Sequence, residues 1–353
     1  MNLSDRQQIA ALDQSDALAS IEQLPLQIET AWKETAKIQL PGPYREVNQI
    51  VVCGMGASWL GAHIIQNLFL GTLKAPLVIS HDYEIPDFVN EKTLVIASSY
   101  SGTTEETISG MQKAYEKKAK IITISTGGNL AEFANQNNLP AYIFNGKYNP
   151  AKSPRMGLGY SMAAQVSFLK QLGLINFDKQ EIYLAVNHLN QRATGLSPET
   201  HNNEAMQLAQ KCFGFMPIVV SGPFLLGNAH AMANQFNETA KAWATFMQIP
   251  ELNHHNLEGL AHPDEVQKLK YLFLESNLYD PRIIKRTAVT KEVIEQNKLS
   301  YESYSPQGKT KIIQSFDCLL FGSYVTFYLA MLYGVDPTPN PYVDYFKKRL
   351  KEI

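Results

Sequence analysis

Residues 94–107 read LVIASSYSGTTEET. The first part, Leu94–Ser99, is a continuous apolar run that ends in small residues. Such a run suits a strand buried on both faces of a parallel sheet. The second part crowds serine and threonine hydroxyls around Gly102, and Glu105 and Glu106 follow where a helix would begin. Strand, hydroxyl-rich turn and helix in that order form the unit of a doubly wound α/β sheet.

Similar runs flank this one. VVC at 51–53, LVIS at 77–80 and IITIS at 121–125 have the same character, and AYIF at 141–144 is a weaker fifth. The spacing leaves room for crossover helices, so residues 46–175 read as one doubly wound parallel-sheet domain. Residues 1–45 read as a helical segment. Pro25 suits a first turn, and Leu24, Ile28, Ala31, Trp32, Thr35 and Ile38 recur at helical spacing until PGPY at 41–44. Residues 176–205 read as a helical connection.

The pattern then restarts with PIVVSG at 217–222. VVCGMGASWLGAH (51–63) can be laid over VVSGPFLLGNAH (219–230) with small gaps. A second copy of the fold is therefore expected over residues 206–353. It ends in a helix from Ile312 to Leu332 that stops at Gly334, a rigid DPTPNP turn and a short helix from Val343 to Leu350. The expected architecture is α/β, with two flavodoxin-like subdomains and helical N- and C-terminal extensions.

Bulk properties narrow the function. The 353 residues exceed one compact core, and a net charge of -2 gives no reason to expect nucleic acid. No stretch approaches eighteen consecutive apolar residues, so no membrane span is expected. The first residues lack a basic segment followed by an apolar one, so no signal peptide is expected. The three cysteines, Cys53, Cys212 and Cys318, lie far apart without a CxxC pair. That suits a reducing cytoplasm and argues against a cysteine zinc site.

Two turns bear the chemistry. Gly54, Gly56 and Ser58 follow the first strand, where backbone N–H groups and a helix N-terminus favour an anion. Ser99, Ser101 and Thr104 add hydroxyls that can bind a phosphate dianion without a fixed cation. Helix capping by Thr103 or Thr104 is the plainer alternative. A dinucleotide site is another, with Asp82 as the ribose acid, but its fingerprint needs glycine where Trp59 stands. The second copy has lost the serine and one glycine of its first turn, so one phosphate pocket, in the first half, is expected.

GMGAS (54–58) with SSYSGTTEET (98–107) resembles the sugar isomerase (SIS) domain. NETAKAWATFMQIPELNHHNLEG (237–259), GVDPTP (334–339) and LPLQ (24–27) resemble the bifunctional phosphoglucose/phosphomannose isomerases. The resemblance spans nearly the whole chain and implies two SIS-type subdomains. It implies an aldose–ketose isomerase that converts glucose 6-phosphate and mannose 6-phosphate to fructose 6-phosphate through a cis-enediol, with no metal or other cofactor. Glycolysis or gluconeogenesis would be its setting, and a homodimer its form, with a histidine reaching the neighbouring chain's pocket.

Carried over by motif, the phosphate site would comprise Gly56, Ser58, Ser99, Ser101 and Thr104. Glu238 would be the base, His254 the ring-opening group, Arg155 the cation near the enediolate and Lys347 the C-terminal lysine, or Lys348 if the register slips. The chain departs from the pattern at Ala57, where a third glycine is usual, and at Trp243, where histidine is common. His255 and Asn256 replace the usual Asn-Glu pair.

Each residue also has a plainer reading. Glu238 would be a surface helix residue paired with Lys241, Arg155 a solvated loop residue, and Lys347 one of a basic run that complements a helix end. His254 and His255, with Glu251 or His262, invite a metal reading, but neighbouring side chains diverge on a regular element. A non-catalytic sugar-phosphate-binding regulator remains the alternative function, since SIS domains also serve as binding modules. Such a regulator would not need Glu238 and His254 together.

Overall fold

A computed structural model describes residues 1–350 and 352. Five parallel strands form the first sheet: β1 (Gln49–Cys53), β2 (Leu77–Ser80), β3 (Thr93–Ser98), β4 (Lys120–Ser125) and β5 (Ala141–Ile143). Their spatial order is β2-β1-β3-β4-β5, the flavodoxin-like arrangement. Ile50 pairs with Leu77 on one side and Leu94 on the other. β3 is buried at every residue, which is why its sequence is apolar without alternation.

The second sheet repeats the order in four strands, β7-β6-β8-β9. They are β6 (Met216–Ser221), β7 (Thr245–Gln248), β8 (Leu269–Leu274) and β9 (Ser300–Tyr304). Only β6 is singled out by the sequence reading. The other three emerge from the structure. β7 and β9 are edge strands, half-buried and partly polar, so they lack the continuous apolar signature.

Before the first sheet the chain forms three helices, α1 (Arg6–Leu12), α2 (Ala17–Glu22) and α3 (Leu24–Thr35). The buried Asp13 carboxylate accepts the N–H groups of Ala17 and Leu18, which ends one helix and starts the next. In the first half follow α4 (Ala57–Leu68), α5 (Glu105–Glu116), α6 (Gly128–Gln136) and α7 (Leu158–Gln171). α8 (Gln180–Leu196) and α9 (Glu204–Cys212) lead into the second half. There lie α10 (Leu226–Glu238), α11 (Leu252–His255), α12 (Pro281–Gln296), α13 (Lys311–Tyr333) and α14 (Pro341–Leu350).

α13 is long and apolar enough to cross a bilayer, with mean hydropathy 1.4, yet 89% of that window is buried inside the protein. A helix apolar all round needs cover on every side. α2, α8, α9 and α10 supply it. Its one carboxylate, Asp317, is fully buried and accepts bonds from Arg192 Nε at 2.7 Å, the Gln307 N–H at 2.9 Å, and the Tyr304 hydroxyl. The His188 ring lies 2.9 Å away. The two halves meet chiefly where α4 packs on α10.

Candidate active site

The hydroxyl-rich turn is built by two loops that touch. Gly56 adopts φ 52° and ψ -126°, a conformation that side chains exclude, and so turns β1 into α4. A Cβ on Gly54 would stand 3.1 Å from the Ser98 carbonyl, so glycine lets the first turn approach the end of β3. Gly102 has φ 73°, and a Cβ there would fall 1.8 Å from the Gly127 carbonyl. No other residue fits.

These constraints gather the hydroxyls. Ser58 and Ser99 are buried, and Ser99 Oγ lies 2.7 Å from Thr104 Oγ1. Ser101 Oγ lies 3.0 Å from Thr103 Oγ1, nearer the surface. Thr104 is the N-cap of α5, but its hydroxyl makes no capping bond. It bonds Ser99 instead, which leaves the first N–H groups of α5 without a side-chain cap. Capping alone does not account for this row of hydroxyls. A small cavity at the ends of these turns is lined by Ser58, Ser98, Tyr100, Pro154, Gly157 and Ser161, among others.

The dinucleotide alternative meets an obstacle at β2. Trp59 stacks on His81 with ring centres 4.7 Å apart, filling the space beside the end of that strand with aromatic rings. In the second half the equivalent turn is plugged. Gly222, which follows β6 as Gly54 follows β1, donates its N–H to the Tyr279 hydroxyl at 3.1 Å. That hydroxyl donates to the Leu274 carbonyl at 3.2 Å. A buried phenol thus holds the donor that an anion would need.

The reacting end lies at the junction of the halves. Glu238 is the last residue of α10, with 35% of its side chain exposed. Its Oε2 accepts from Asn340 Nδ2 at 2.9 Å and faces Arg155 Nη1 at 3.4 Å. Arg155 is buried in the first half's 3₁₀ turn, Pro154–Met156, whose Pro154 also lines the small cavity beside Ser58 and Ser98. Its Nε donates to Thr239 Oγ1 at 3.1 Å and its Nη2 to the carbonyls of Pro337 and Thr338. Burial pushes this guanidinium below its ordinary value, which the Glu238 charge opposes. Arg155 is therefore no solvated loop residue: it ties the Glu238 carboxylate to the turn whose Pro154 lines the small cavity beside Ser58 and Ser98.

Other expected residues stay apart. His254 lies on the short α11, exposed, and its ring makes no hydrogen bond among the described residues, although its backbone N–H donates to the Glu251 carbonyl at 3.0 Å. His255 diverges from it and pairs with Glu251 at 3.0 Å. Lys347 does not touch this cluster within one chain. α14 buries none of its residues, and neither Lys347 nor Lys348 bonds Glu238 or Arg155. The turn before α14 supplies Asn340 instead.

Sequence reasoning assigned no role at the site to Lys241. It has φ 55°, and its Nζ donates to the Glu238 carbonyl and to Asn340 Oδ1 at 3.1 Å. The alternative that pairs Glu238 with Lys241 thus holds only through the backbone carbonyl. Nothing local signals this contact, because Asn340 is 99 residues away.

Two repeated parallel sheets, one hydroxyl-lined anion turn and one carboxylate held by a buried arginine describe a double-SIS sugar isomerase. The SIS domain family matches residues 44–173, and the bacterial phospho-glucose isomerase C-terminal SIS domain family matches residues 201–350. A bifunctional phosphoglucose/phosphomannose isomerase from Caldicellulosiruptor bescii is 32% identical over 344 residues, covering 95% of this chain and 98% of the relative. One from Aquifex aeolicus is 28% identical, covering 91% and 94%. The chain belongs to the family of bifunctional phosphoglucose/phosphomannose isomerases. Its fold is shared by a hypothetical protein of Thermus thermophilus, with a TM-score of 0.76 at 16% identity, covering 99% of this chain and 93% of that one.

Proposed function

We propose that this chain interconverts glucose 6-phosphate and mannose 6-phosphate with fructose 6-phosphate, and that Glu238 is the base for both. The observation that carries this reading is the Glu238–Arg155 pair, formed across the two halves, with Arg155 in the turn whose Pro154 lines a small cavity together with Ser58 and Ser98. The sugar's phosphate sits against Gly56, Ser58, Ser99, Ser101 and Thr104. Glu238 takes the C2 proton, O1 gains a proton, and a cis-enediol forms. O2 then loses its proton while Glu238 returns the first one to C1.

Arg155 faces the negative charge that develops on the oxygens. Glucose and mannose 6-phosphates differ only at C2, which becomes planar in the enediol, so one intermediate serves both. His254, exposed on its own chain, opens the sugar ring in the pocket of a second copy. Lys347, on the exposed α14, completes the reacting end from within that assembly. A homodimer is therefore part of the reading. Three buried free cysteines suit a cytoplasmic setting, and the sugars fit glycolysis or gluconeogenesis.

The test is Glu238→Gln, assayed with both aldose phosphates. Both activities should fall by a similar factor, on the order of a hundredfold or more, with loss of C2 hydrogen exchange into deuterated solvent. Retention of one activity would require a second base. A regulator would bind sugar phosphate equally well with or without Glu238 and turn over neither substrate.

A further inference from the structure

We infer that Lys241 is a positioning residue for the base, acting by fixing which way the Asn340 amide faces. This rests on the isomerase reading of Glu238. The geometry closes a small ring. Lys241 Nζ donates to the Glu238 carbonyl and to Asn340 Oδ1, while Asn340 Nδ2 donates to Glu238 Oε2 at 2.9 Å. An ammonium has donors only, so it can meet the amide only at its oxygen. The amide nitrogen is thereby turned toward the carboxylate.

Glu238 Oε2 then carries the Asn340 donor and faces Arg155, while Oε1 has no hydrogen bond among the described residues. One oxygen is held and the other is free to reach a carbon-bound proton. Lys241 sits three residues beyond the base in the left-handed region, at φ 55°. A side chain there is uncommon outside glycine, asparagine and aspartate, and such conformations gather at functional sites. This one aims the ammonium back at the end of α10.

The arrangement depends on charge. Burial, and next the Arg155 cation, push Lys241 down to about 8, while Glu238 and Asp336 pull it the other way. Those are the charged groups that face it, from α10, the Pro154–Met156 turn and the loop before α14. Below that value the ammonium holds the amide. Above it the neutral amine can accept a bond, and the amide is free to turn its oxygen toward Glu238. Two acceptors then face each other, and the base loses its donor.

The experiment compares wild type, Lys241→Met and Lys241→Arg in the fructose 6-phosphate reaction across pH 5–10, with Asn340→Leu for a double-mutant cycle. At pH 7, Lys241→Met should lower kcat about tenfold or more while KM changes less than about threefold. It should also abolish an alkaline limb near pH 8. Lys241→Arg should restore most of kcat and move that limb upward, because arginine stays charged. Adding Lys241→Met to Asn340→Leu should change little, since the lysine acts through the amide.

A Lys241→Met enzyme with wild-type kcat and limb would overturn the inference. So would full additivity of the two substitutions. Lysine-labelled protein followed by ¹³C NMR tests the charge without any activity. A Lys241 midpoint near 8 is expected, and one at the ordinary value of about 10.4 would refute the pH mechanism. Failure of the wild type to isomerise either sugar would instead overturn the functional reading.

Discussion

His63 and His230 meet Nδ1 to Nδ1 at 3.1 Å, across the seam between the two halves. They close the two stretches of sequence that can be laid over each other, so the repeat brings its own equivalent residues together. Beside them α4 and α10 cross closely. A Cβ on Gly227 would fall 2.3 Å from the Ile64 Cα, so only glycine permits the approach. α4 begins at the hydroxyl-rich turn and α10 ends at Glu238, so this crossing sets the proposed base relative to the proposed phosphate site.

The histidine pair should make stability fall on mild acidification. Burial pushes His230 down to about 4, with help from His63, and burial also lowers His63. Both are therefore neutral when folded, while unfolded histidine titrates near about 6.5. Between those values the unfolded chain binds more protons, so stability is complete above about pH 6.5 and declines as pH falls toward 4. For His230 the slope reaches about 1.4 kcal/mol per pH unit inside that window, and His63 adds in the same direction. Thermal unfolding from pH 7 to 5 should show it, and His63→Gln with His230→Gln should flatten it. An unchanged slope would mean that other groups dominate.

Ser101→Ala with Thr104→Ala should weaken substrate binding more than it slows chemistry. Phosphate contacts persist from ground state to transition state, so their loss raises KM by about tenfold while kcat changes less. Tyr279→Phe in the plugged second half should leave KM alone. An unchanged KM in the double variant would move the phosphate elsewhere.

A homodimer should be required for turnover. α14 leaves Tyr342, Tyr345 and Phe346 exposed by 60% or more, and His254 stands outside its own chain's site. Mixing inactive His254→Asn and Glu238→Gln chains should restore up to about a quarter of wild-type activity, if each pocket draws on two chains. An active monomer in light scattering at assay concentration would refute this.

Asp317→Asn should destabilise the fold by about 3 kcal/mol, because it removes the buried acceptor shared by Arg192 Nε, the Tyr304 hydroxyl and the Gln307 N–H and leaves Arg192 only Glu204 as a charged partner. Burial opposes ionisation of Asp317, but bonds from His188, Arg192 and Tyr304 hold its carboxyl below the usual range. Its stabilisation is therefore present above about pH 4 and lost as pH falls through the folded value. Urea titration of both proteins at pH 7 measures the difference. Equal midpoints would refute the assignment.

Much of this was legible locally. The first sheet's strands are continuous apolar runs because a parallel sheet covers both faces. The hydroxyls of Ser99–Thr104 sit within a few residues of one another, where the glycine turn alone can gather them. The stop of α13 at Gly334, φ 68°, is likewise a local matter of backbone freedom. β7 and β9 were not legible, because edge strands carry polar residues that blur the pattern.

Neighbouring residues alone specify two repeated strand–turn–helix halves and one hydroxyl-rich turn, since dihedral preference and burial act over short stretches of chain. Folding at long range brings Arg155, Glu238, Lys241 and Asn340 into one cluster and leaves Lys347 of the same chain outside it. Arg155 and Glu238 are 83 residues apart, and Glu238 and Asn340 are 102 apart. No periodicity links such positions. They meet because α4 and α10 pack closely enough, at Gly227, to bring the buried turn of one half against the helix end of the other.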